Sequence, residues 1–343
     1  MIDQHRTEIS TYGEFGLIRH LTSSIQLKNS SSRIGVGDDA AVLNYDGNEV
    51  LVTSDLLLEG IHFDLTYTPL KHLGYKAAVV NFSDIYAMNG RPKQLIVSIG
   101  ISKRFSVEDL DDFYDGLKLA CDNYGVDIVG GDTTSSLTGL TLSLTCIGVG
   151  EKEKIVLRSG AKENDLICVS GDLGSAYMGL QLLEREKHVF KQTDSAQPDF
   201  TGKEYIIERQ LKPEARKDII ELLAEKSLIP TSMIDISDGL SSELLHICSS
   251  SDCGCRVYEE TIPIDYQTAA MAEEINMNLT TAALNGGEDY ELLFTVPLSL
   301  HETILQLPSI KVIGHICAKK MGSRLITRDG NEIDLKAQGW KSF

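Results

Sequence analysis

The sequence predicts an α/β protein of about two domains, and three observations carry that expectation. The chain has 343 residues, 42% of them apolar and 24% charged; at roughly 100–200 residues per domain this is enough for two hydrophobic cores. Apolar runs of strand length alternate with amphipathic runs of helix length. Clusters of glycine and acid recur where strands are expected to begin or end, the first being Ile34-Gly-Val-Gly-Asp-Asp-Ala-Ala-Val-Leu43.

In that stretch two glycines deliver Asp38 and Asp39 to the start of an apolar run. Adjacent carboxylates repel, and a site that holds both near the interior needs a cation; carboxylate oxygens suit a hard divalent ion, magnesium first. Gly35-Val-Gly-Asp-Asp-Ala40 also fits a loose dinucleotide fingerprint, which requires a strand before it and a helix after it. Polar Asn29-Ser-Ser-Ser32 before and strand-like Ala41-Val-Leu-Asn-Tyr45 after offer neither. Taken alone, the stretch is a Gly-Asp turn entering a strand; its recurrence favours a metal site.

A net charge of −18 leaves no basic stripe to neutralise phosphates and argues against nucleic acid as a partner. It also repels free polyphosphate, so a nucleotide substrate needs metal ions to bridge it to the acids. No run approaches the ~20 apolar residues of a membrane span, and Met1-Ile-Asp-Gln-His-Arg6 lacks an apolar signal core, so a cytoplasmic location is expected. Seven cysteines without regular spacing read as reduced thiols. Cys248, Cys253 and Cys255 are their only cluster, without the paired spacing of a zinc site.

In chain order, Thr11 to Leu21 is an amphipathic helix candidate. The strand Glu49 to Thr53 runs into Ser54 and Asp55, placing hydroxyl and carboxylate oxygens at a strand end. His72 to Asn89 is helical, with Ala77, Val80, Asp84 and Ala87 on one face; a charge there needs a metal or an arginine. Gln94 to Ile101 is a strand, Val107 to Tyr124 a helix, and Val126 to Val129 a strand ending in Gly130-Gly-Asp-Thr-Thr134, whose glycines let backbone approach a ligand that Asp132 faces. Thr141 to Gly150 closes the first domain, giving expected domains 1–150 and 151–343.

Beyond it, the strand Asp165 to Val169 leads through Ser170-Gly-Asp-Leu-Gly174 into a helix to about Leu183, a junction that suits anions. Residues 184–203 read as a loop and Glu204 to Leu211 as a helix, with no site. Asp235 and Asp238 fall at a strand-to-helix turn in Met233-Ile-Asp-Ile-Ser-Asp-Gly-Leu240. Asn285-Gly-Gly-Glu-Asp-Tyr-Glu-Leu-Leu-Phe294 then repeats the opening syntax, suggesting a second half on similar lines. A strand at Lys311 to Ile316 and a tail with the only tryptophan, Trp340, follow.

Collected in order, Gly35 to Ala40, Thr53-Ser-Asp55, Asn81-Phe-Ser-Asp84, Gly130 to Thr134, Arg158-Ser-Gly-Ala-Lys162, Ile234 to Leu240 and Gly286 to Glu291 resemble the thiamine-monophosphate kinase family. That family lies in the superfamily of aminoimidazole ribonucleotide synthetase and selenophosphate synthetase. The resemblance implies transfer of the γ-phosphoryl group of ATP onto thiamine monophosphate. It implies magnesium ligands at Asp39, Thr53, Ser54, Asp55, Asp84, Asp132, Asp235 and Asp238, and ATP contacts at Gly131, Asp132, Arg158 and Ser237, with Tyr114 near the adenine. His62, Glu288 and Trp340 would meet the thiamine phosphate. A homodimer is implied, its N-terminal sheets closing a barrel across the interface, with a C-terminal α/β sandwich. No nucleophile or general base is needed, since metals and Arg158 can offset the developing charge. Rival readings are another ATP-dependent synthetase of the superfamily and a non-catalytic metal- or nucleotide-binding protein. A selenophosphate synthetase is disfavoured because the first cysteine is Cys121.

Overall fold

A computed structural model describes residues 32–34, 37–45, 48–192 and 200–338. The helix expected over Thr11 to Leu21 and the tail tryptophan, Trp340, lie outside the described residues. The first half supplies β1 (Ser32–Ile34), β2 (Ala41–Tyr45), β3 (Asn48–Leu58), α1 (Leu70–Ala87), β4 (Arg91–Ile101), α2 (Val107–Tyr124), β5 (Asp127–Ser135) and β6 (Thr141–Gly150). These strands form one mixed sheet in the order β1-β2-β3-β6-β4-β5. The second half supplies β7 (Leu166–Ser170), α3 (Ser175–Gln192), α4 (Glu204–Leu211), α5 (Lys217–Glu225), β8 (Ser232–Asp235), α6 (Leu240–Ser250), β9 (Cys253–Tyr258), α7 (Tyr266–Glu274) and α8 (Leu279–Asn285). It ends with β10 (Leu292–Val296), α9 (His301–Leu305), β11 (Ile310–Ala318), β12 (Ser323–Ile326) and β13 (Glu332–Asp334). Their sheet runs β13-β12-β9-β11-β7-β10-β8. No described helix is long and apolar enough to cross a membrane.

Several expectations need correction. β3 does not stop at Thr53: it pairs with β6 from Glu49 to Leu58, so Thr53, Ser54 and Asp55 lie in mid-strand. Likewise β5 continues through Gly130, Gly131 and Asp132 to Ser135, hydrogen-bonded among the described residues to β4 on one side only. Glycine is tolerated there because Gly131 faces the Val97 carbonyl at a distance where a Cβ would sit 1.8 Å from the oxygen. Its lack of a side chain therefore serves strand packing. A short strand, β1, precedes the first glycine loop where none was expected, but β2 and not a helix follows it, so the dinucleotide fingerprint still fails. α3 runs nine residues past Leu183: Glu184 to His188 is polar yet helical, tied by Lys187 to Glu184 at 3.1 Å and by His188 Nδ1 to the Glu184 carbonyl at 2.8 Å. The repeated glycine-acid syntax is local, since the strand orders of the two sheets differ.

α1 positions the site. It is not a one-faced helix: fourteen of its residues are buried, and a helix buried on most sides must be apolar nearly all round. Its first half lies against α2 at backbone contact, because a Cβ on Gly74 would sit 1.9 Å from the Phe113 carbonyl oxygen and one on Gly116 1.7 Å from that of Lys71. α2 is fixed at its start by a Ser106/Asp109 capping box and at its end by Gly125 at φ 70°. One apolar cluster then joins the two sheets, running from Val42, Ala77 and Leu144 to Met233, Tyr290 and Phe294.

Gly116→Ala forces the α1–α2 crossing apart and should destabilise the protein by about 2–3 kcal/mol, read as a lower urea midpoint. A midpoint unchanged to within about 0.5 kcal/mol would contradict the close crossing.

Candidate active site

The acids converge where α1 meets both sheets. Asp39 follows the first glycine loop, Asp84 sits in the last turn of α1, and Asp235 ends β8; their carboxylate oxygens lie within 4.8 Å of one another. Asp84 accepts a hydrogen bond from Thr53 Oγ1 at 2.5 Å, and Asp235 one from Ser83 Oγ at 2.5 Å. Neighbouring residues of α1 thus reach β3 of one sheet and β8 of the other. Asp39 is held by Arg158 in a two-pronged pair, Nε to Oδ2 at 3.0 Å and Nη2 to Oδ1 at 2.6 Å. The Arg158 backbone N–H also approaches Asp38 Oδ2 at 3.2 Å. The arginine expected as a remedy for Asp84 is therefore present but pairs with Asp39.

One arginine does not balance these charges. Burial, then Asp55, Asp235 and Asp39, push the Asp84 carboxyl well above the usual range. Burial and Asp39 raise Asp235 to about 7, and the same two causes raise Asp38 to about 7. Burial alone raises Asp55 to about 6, and its Oδ2 is buried without a hydrogen-bond partner. A set of hard oxygen donors, one of them orphaned, fits a divalent cation such as magnesium.

Strand register sorts the remaining candidates. Asp55 stands opposite Leu144, Leu144 opposite Val97 and Val97 opposite Gly131. Paired residues share a sheet face and neighbours along a strand do not. Thr53, Asp55 and Gly131 therefore face α1, whereas Ser54 and Asp132 belong to the other face. Ser54 Oγ is bonded to Thr145 Oγ1 at 2.9 Å and Asp132 accepts from the Thr133 N–H at 2.9 Å. Neither side chain joins the carboxylate cluster. Asp132 lies three strands from β3, about 14 Å at ~4.8 Å per strand.

Ser237 and Asp238 lie in the turn between β8 and α6, and Glu288 in the turn before β10; the two turns interlock. Glu288 N–H donates to the Ser237 carbonyl at 2.6 Å, Tyr290 N–H to that of Ile236 at 2.8 Å, and Ile236 N–H to that of Glu291 at 2.8 Å. Glu288 and Tyr290 both take left-handed backbone, at φ 58° and 52°. The Glu288 carboxylate is paired with Lys76 at 2.9 Å and accepts from Gln210 Nε2 at 2.8 Å. His62, in the turn after β3, accepts the Leu58 N–H on Nδ1 at 3.0 Å, which leaves the proton of the neutral ring on Nε2. Tyr114 is half-buried on α2, edge-on to Phe113.

Three features escaped the sequence reading. Glu243, buried in α6, accepts the Asp238 N–H at 2.9 Å and is pushed well above the usual carboxylate range by burial and then Asp238. The argument made for Asp84, an acid on an apolar helical face, would have found it. Lys76 is buried in α1, equally visible as a cation in an apolar run. Third, where no site was expected, a cleft of about 280 Å³ is lined by Asp172, Tyr205, Arg209, Lys212, Arg216 and Glu291 among others. Its arginines are paired, Arg209 with Glu291 at 3.0 Å and Arg216 with Asp218 at 2.8 Å. The anion site expected at the start of α3 is filled by the protein itself: Gly174 N–H donates to Asp289 Oδ2 at 2.9 Å.

Residues 37–150 match the family model of AIR synthase related proteins, N-terminal domain. The thiamine-monophosphate kinase of Bacillus subtilis is 34% identical over 337 residues, 96% of this chain and 99% of that protein. That of Aquifex aeolicus is 33% identical over 332 residues, 96% of this chain and 98% of its own length. Among solved structures, AaThiL complexed with AMPPCP and TMP superposes with a TM-score of 0.84 at 31% identity, covering 99% of this chain and 100% of that one. With identity above 30% along nearly the whole length, the chain belongs to the thiamine-monophosphate kinase family.

Proposed function

We propose that the protein transfers the γ-phosphoryl group of ATP directly, in line, to the phosphate of thiamine monophosphate, giving thiamine diphosphate. The observation that carries this reading is the convergence of Asp39, Asp84 and Asp235 beside Arg158 at the seam of the two sheets. The relatives' names and the AMPPCP and TMP bound to the similar AaThiL structure support it. Magnesium, when bound, would neutralise the phosphates and polarise the transferring group. Asp39, Asp55, Asp84 and Asp235 would hold it, with Thr53 beside Asp84 and Asp238 as a further ligand of the proposal; Ser54 and Asp132, on the opposite sheet face, would reach only an ion bound away from this cluster. Arg158 would exchange Asp39 for a phosphate oxygen once the metal takes over that carboxylate, a charge-for-charge substitution. Gly131, Asp132 and Ser237 would line the nucleotide, with Tyr114 near the adenine.

On the acceptor side, His62 would offer its Nε2–H to the phosphate, and Trp340 would stack on the thiamine. Glu288 meets the ring as a carboxylate already balanced by Lys76, so it would orient the ring more than attract it. The division into 1–150 and 151–343 belongs to the same reading, with the nucleotide between the halves. So does a homodimer closing a barrel: Leu56 and Val129 are 54% and 56% exposed, and among the described residues β5 is an uncovered edge.

Product analysis after mixing protein, ATP, magnesium and thiamine monophosphate should show thiamine diphosphate, and Asp84→Asn should cut turnover about 100-fold or more with a cooperative melt retained. Efficient phosphorylation of a different acceptor, or wild-type turnover in the variant, would count against the reading.

The raised carboxyls also set a pH dependence. Asp38, Asp55 and Asp235 bind their protons more tightly folded than unfolded, so the destabilisation is absent below about pH 4 and complete above about pH 8. Without magnesium, the thermal midpoint should therefore fall from about pH 5 to pH 8, and about 10 mM magnesium should restore it at the upper end. A midpoint that is flat across this window and indifferent to the ion would refute a metal-dependent acid cluster.

A further inference from the structure

Lys76 lies on α1 close to Gly74, where that helix meets the α2 backbone, and its side chain is buried. A lysine is rarely buried without partners, and Lys76 finds two in the second half of the chain. Its Nζ donates to the Gln210 carbonyl, in the last turn of α4, at 3.0 Å and lies 2.9 Å from Glu288 Oε1. The C-terminal end of a helix favours a cation. Gln210 closes the triangle, donating from Nε2 to Glu288 Oε2 at 2.8 Å. Each carboxylate oxygen of Glu288 is thus held by a different side chain.

Exposure separates the roles. Lys76 and Gln210 are 4% and 6% exposed, whereas 31% of the Glu288 side chain is open. A ligand can reach the carboxylate but not the two groups that hold it. The Glu288 backbone is fixed as well, at φ 58° with its N–H on the Ser237 carbonyl at 2.6 Å. In one respect the clamp is destabilising: Gln210 Oε1 is buried with no hydrogen-bond partner among the described residues. The reversed amide would set oxygen against the carboxylate, so holding Glu288 takes precedence over pairing that oxygen.

The same helix carries a member of the acid cluster. Asp84 follows Lys76 on α1 by about 12 Å along the axis at ~1.5 Å per residue. Ser83, beside it, donates to Asp235 at 2.5 Å. One helix packed against α2 therefore sets the separation between the Glu288 clamp and the acids.

We infer that Lys76 and Gln210 are positioning residues for the acceptor, holding the Glu288 carboxylate in one orientation at a fixed distance from the acid cluster. The inference rests on the proposed function, in which Glu288 meets the thiamine ring. Neither residue touches substrate; both act through Glu288. A released carboxylate turns toward solvent and the ring end of the acceptor loses its anchor. The loosened contact is remote from the transferring phosphoryl group, so the loss falls on acceptor binding and not on the chemical step.

Steady-state kinetics of the whole protein with ATP, magnesium and thiamine monophosphate test this. Lys76→Met should raise the KM for thiamine monophosphate about tenfold, the worth of one charge-assisted hydrogen bond. It should leave kcat within about threefold and the Kd of AMPPCP with magnesium within about twofold. Gln210→Met should move the same KM in the same direction. Because both act through Glu288, Lys76→Met made in a Glu288→Gln background should add less than about twofold. An unmoved KM, a loss in kcat or nucleotide affinity as large as the change in KM, or the whole effect repeated on Glu288→Gln would overturn the inference. If Lys76→Met does not melt cooperatively, Gln210→Met taken through the same cycle decides it. Wild-type protein that makes no thiamine diphosphate would overturn the proposed function and this inference with it, whereas an active wild type with multiplicative losses would overturn the inference alone.

Discussion

The interaction on which the rest of the structure depends is repulsion among carboxylates that cannot reach bulk water. Asp39, Asp84 and Asp235 come from three different elements and meet over an apolar cluster shared by both sheets. Each is partly compensated, Asp39 by Arg158, Asp84 by the Thr53 hydroxyl and Asp235 by that of Ser83. A neutral hydrogen bond is worth only about 1 kcal/mol net, too little to offset a buried like charge. The remaining repulsion is what a divalent ion would relieve. The repulsion lowers local stability here, and a bound cation would restore it, a trade typical of functional sites.

That arrangement survives only because its supports are stiff. α1 is clamped against α2 by backbone contact at Gly74 and Gly116, and its other sides are buried. The turn carrying Ser237 and Asp238 is locked by three backbone hydrogen bonds to the turn carrying Glu288 and Tyr290. Two left-handed non-glycine residues in that second turn cost of order 1–3 kcal/mol each, and the interlock is what holds them there. Gly287 is obligatory at the crossing, where a Cβ would sit 2.6 Å from the Ser237 carbonyl oxygen.

Much of this was legible in the sequence, and the failures have physical causes. The bounds of α2, α4 and β6 match their expected ranges because local signals agree there: a capping box and Gly125 around α2, Pro213 after α4, and alternating burial along β6. The acids were legible as site candidates because each interrupts an apolar run. Their grouping was not, since it depends on strand parity: Asp55, facing α1, directly follows Ser54, facing away, and nothing local says how far β3 extends. Arg158 pairs with Asp39 and Lys76 with Glu288 across separations that no periodicity reports. α3 outran its expected end because Glu184 to His188 is polar, held by contacts within the helix and by Arg185 to Glu274 and Lys187 to Asp64 instead of an apolar stripe.

The two ends of the proposed reaction cleft are charged differently, and this bears on how an anionic pair of substrates could be accommodated by a chain of net charge −18. Where the γ-phosphate would lie, four carboxylates face one arginine, and a nucleotide brought there without cations would meet net repulsion. At a few ångströms such repulsion amounts to several kcal/mol at an effective dielectric near 20. Where the acceptor would lie, Lys76 already cancels Glu288, and His62 accepts the Leu58 N–H on Nδ1. A phosphate could approach that side without metal. On the proposed reading, the donor side would make metal loading a precondition for nucleotide binding, while the acceptor side would depend on shape and hydrogen bonding. In-line transfer would need both phosphates in the same space, so the cations that admit the first would also lower the repulsion that the second meets on arrival.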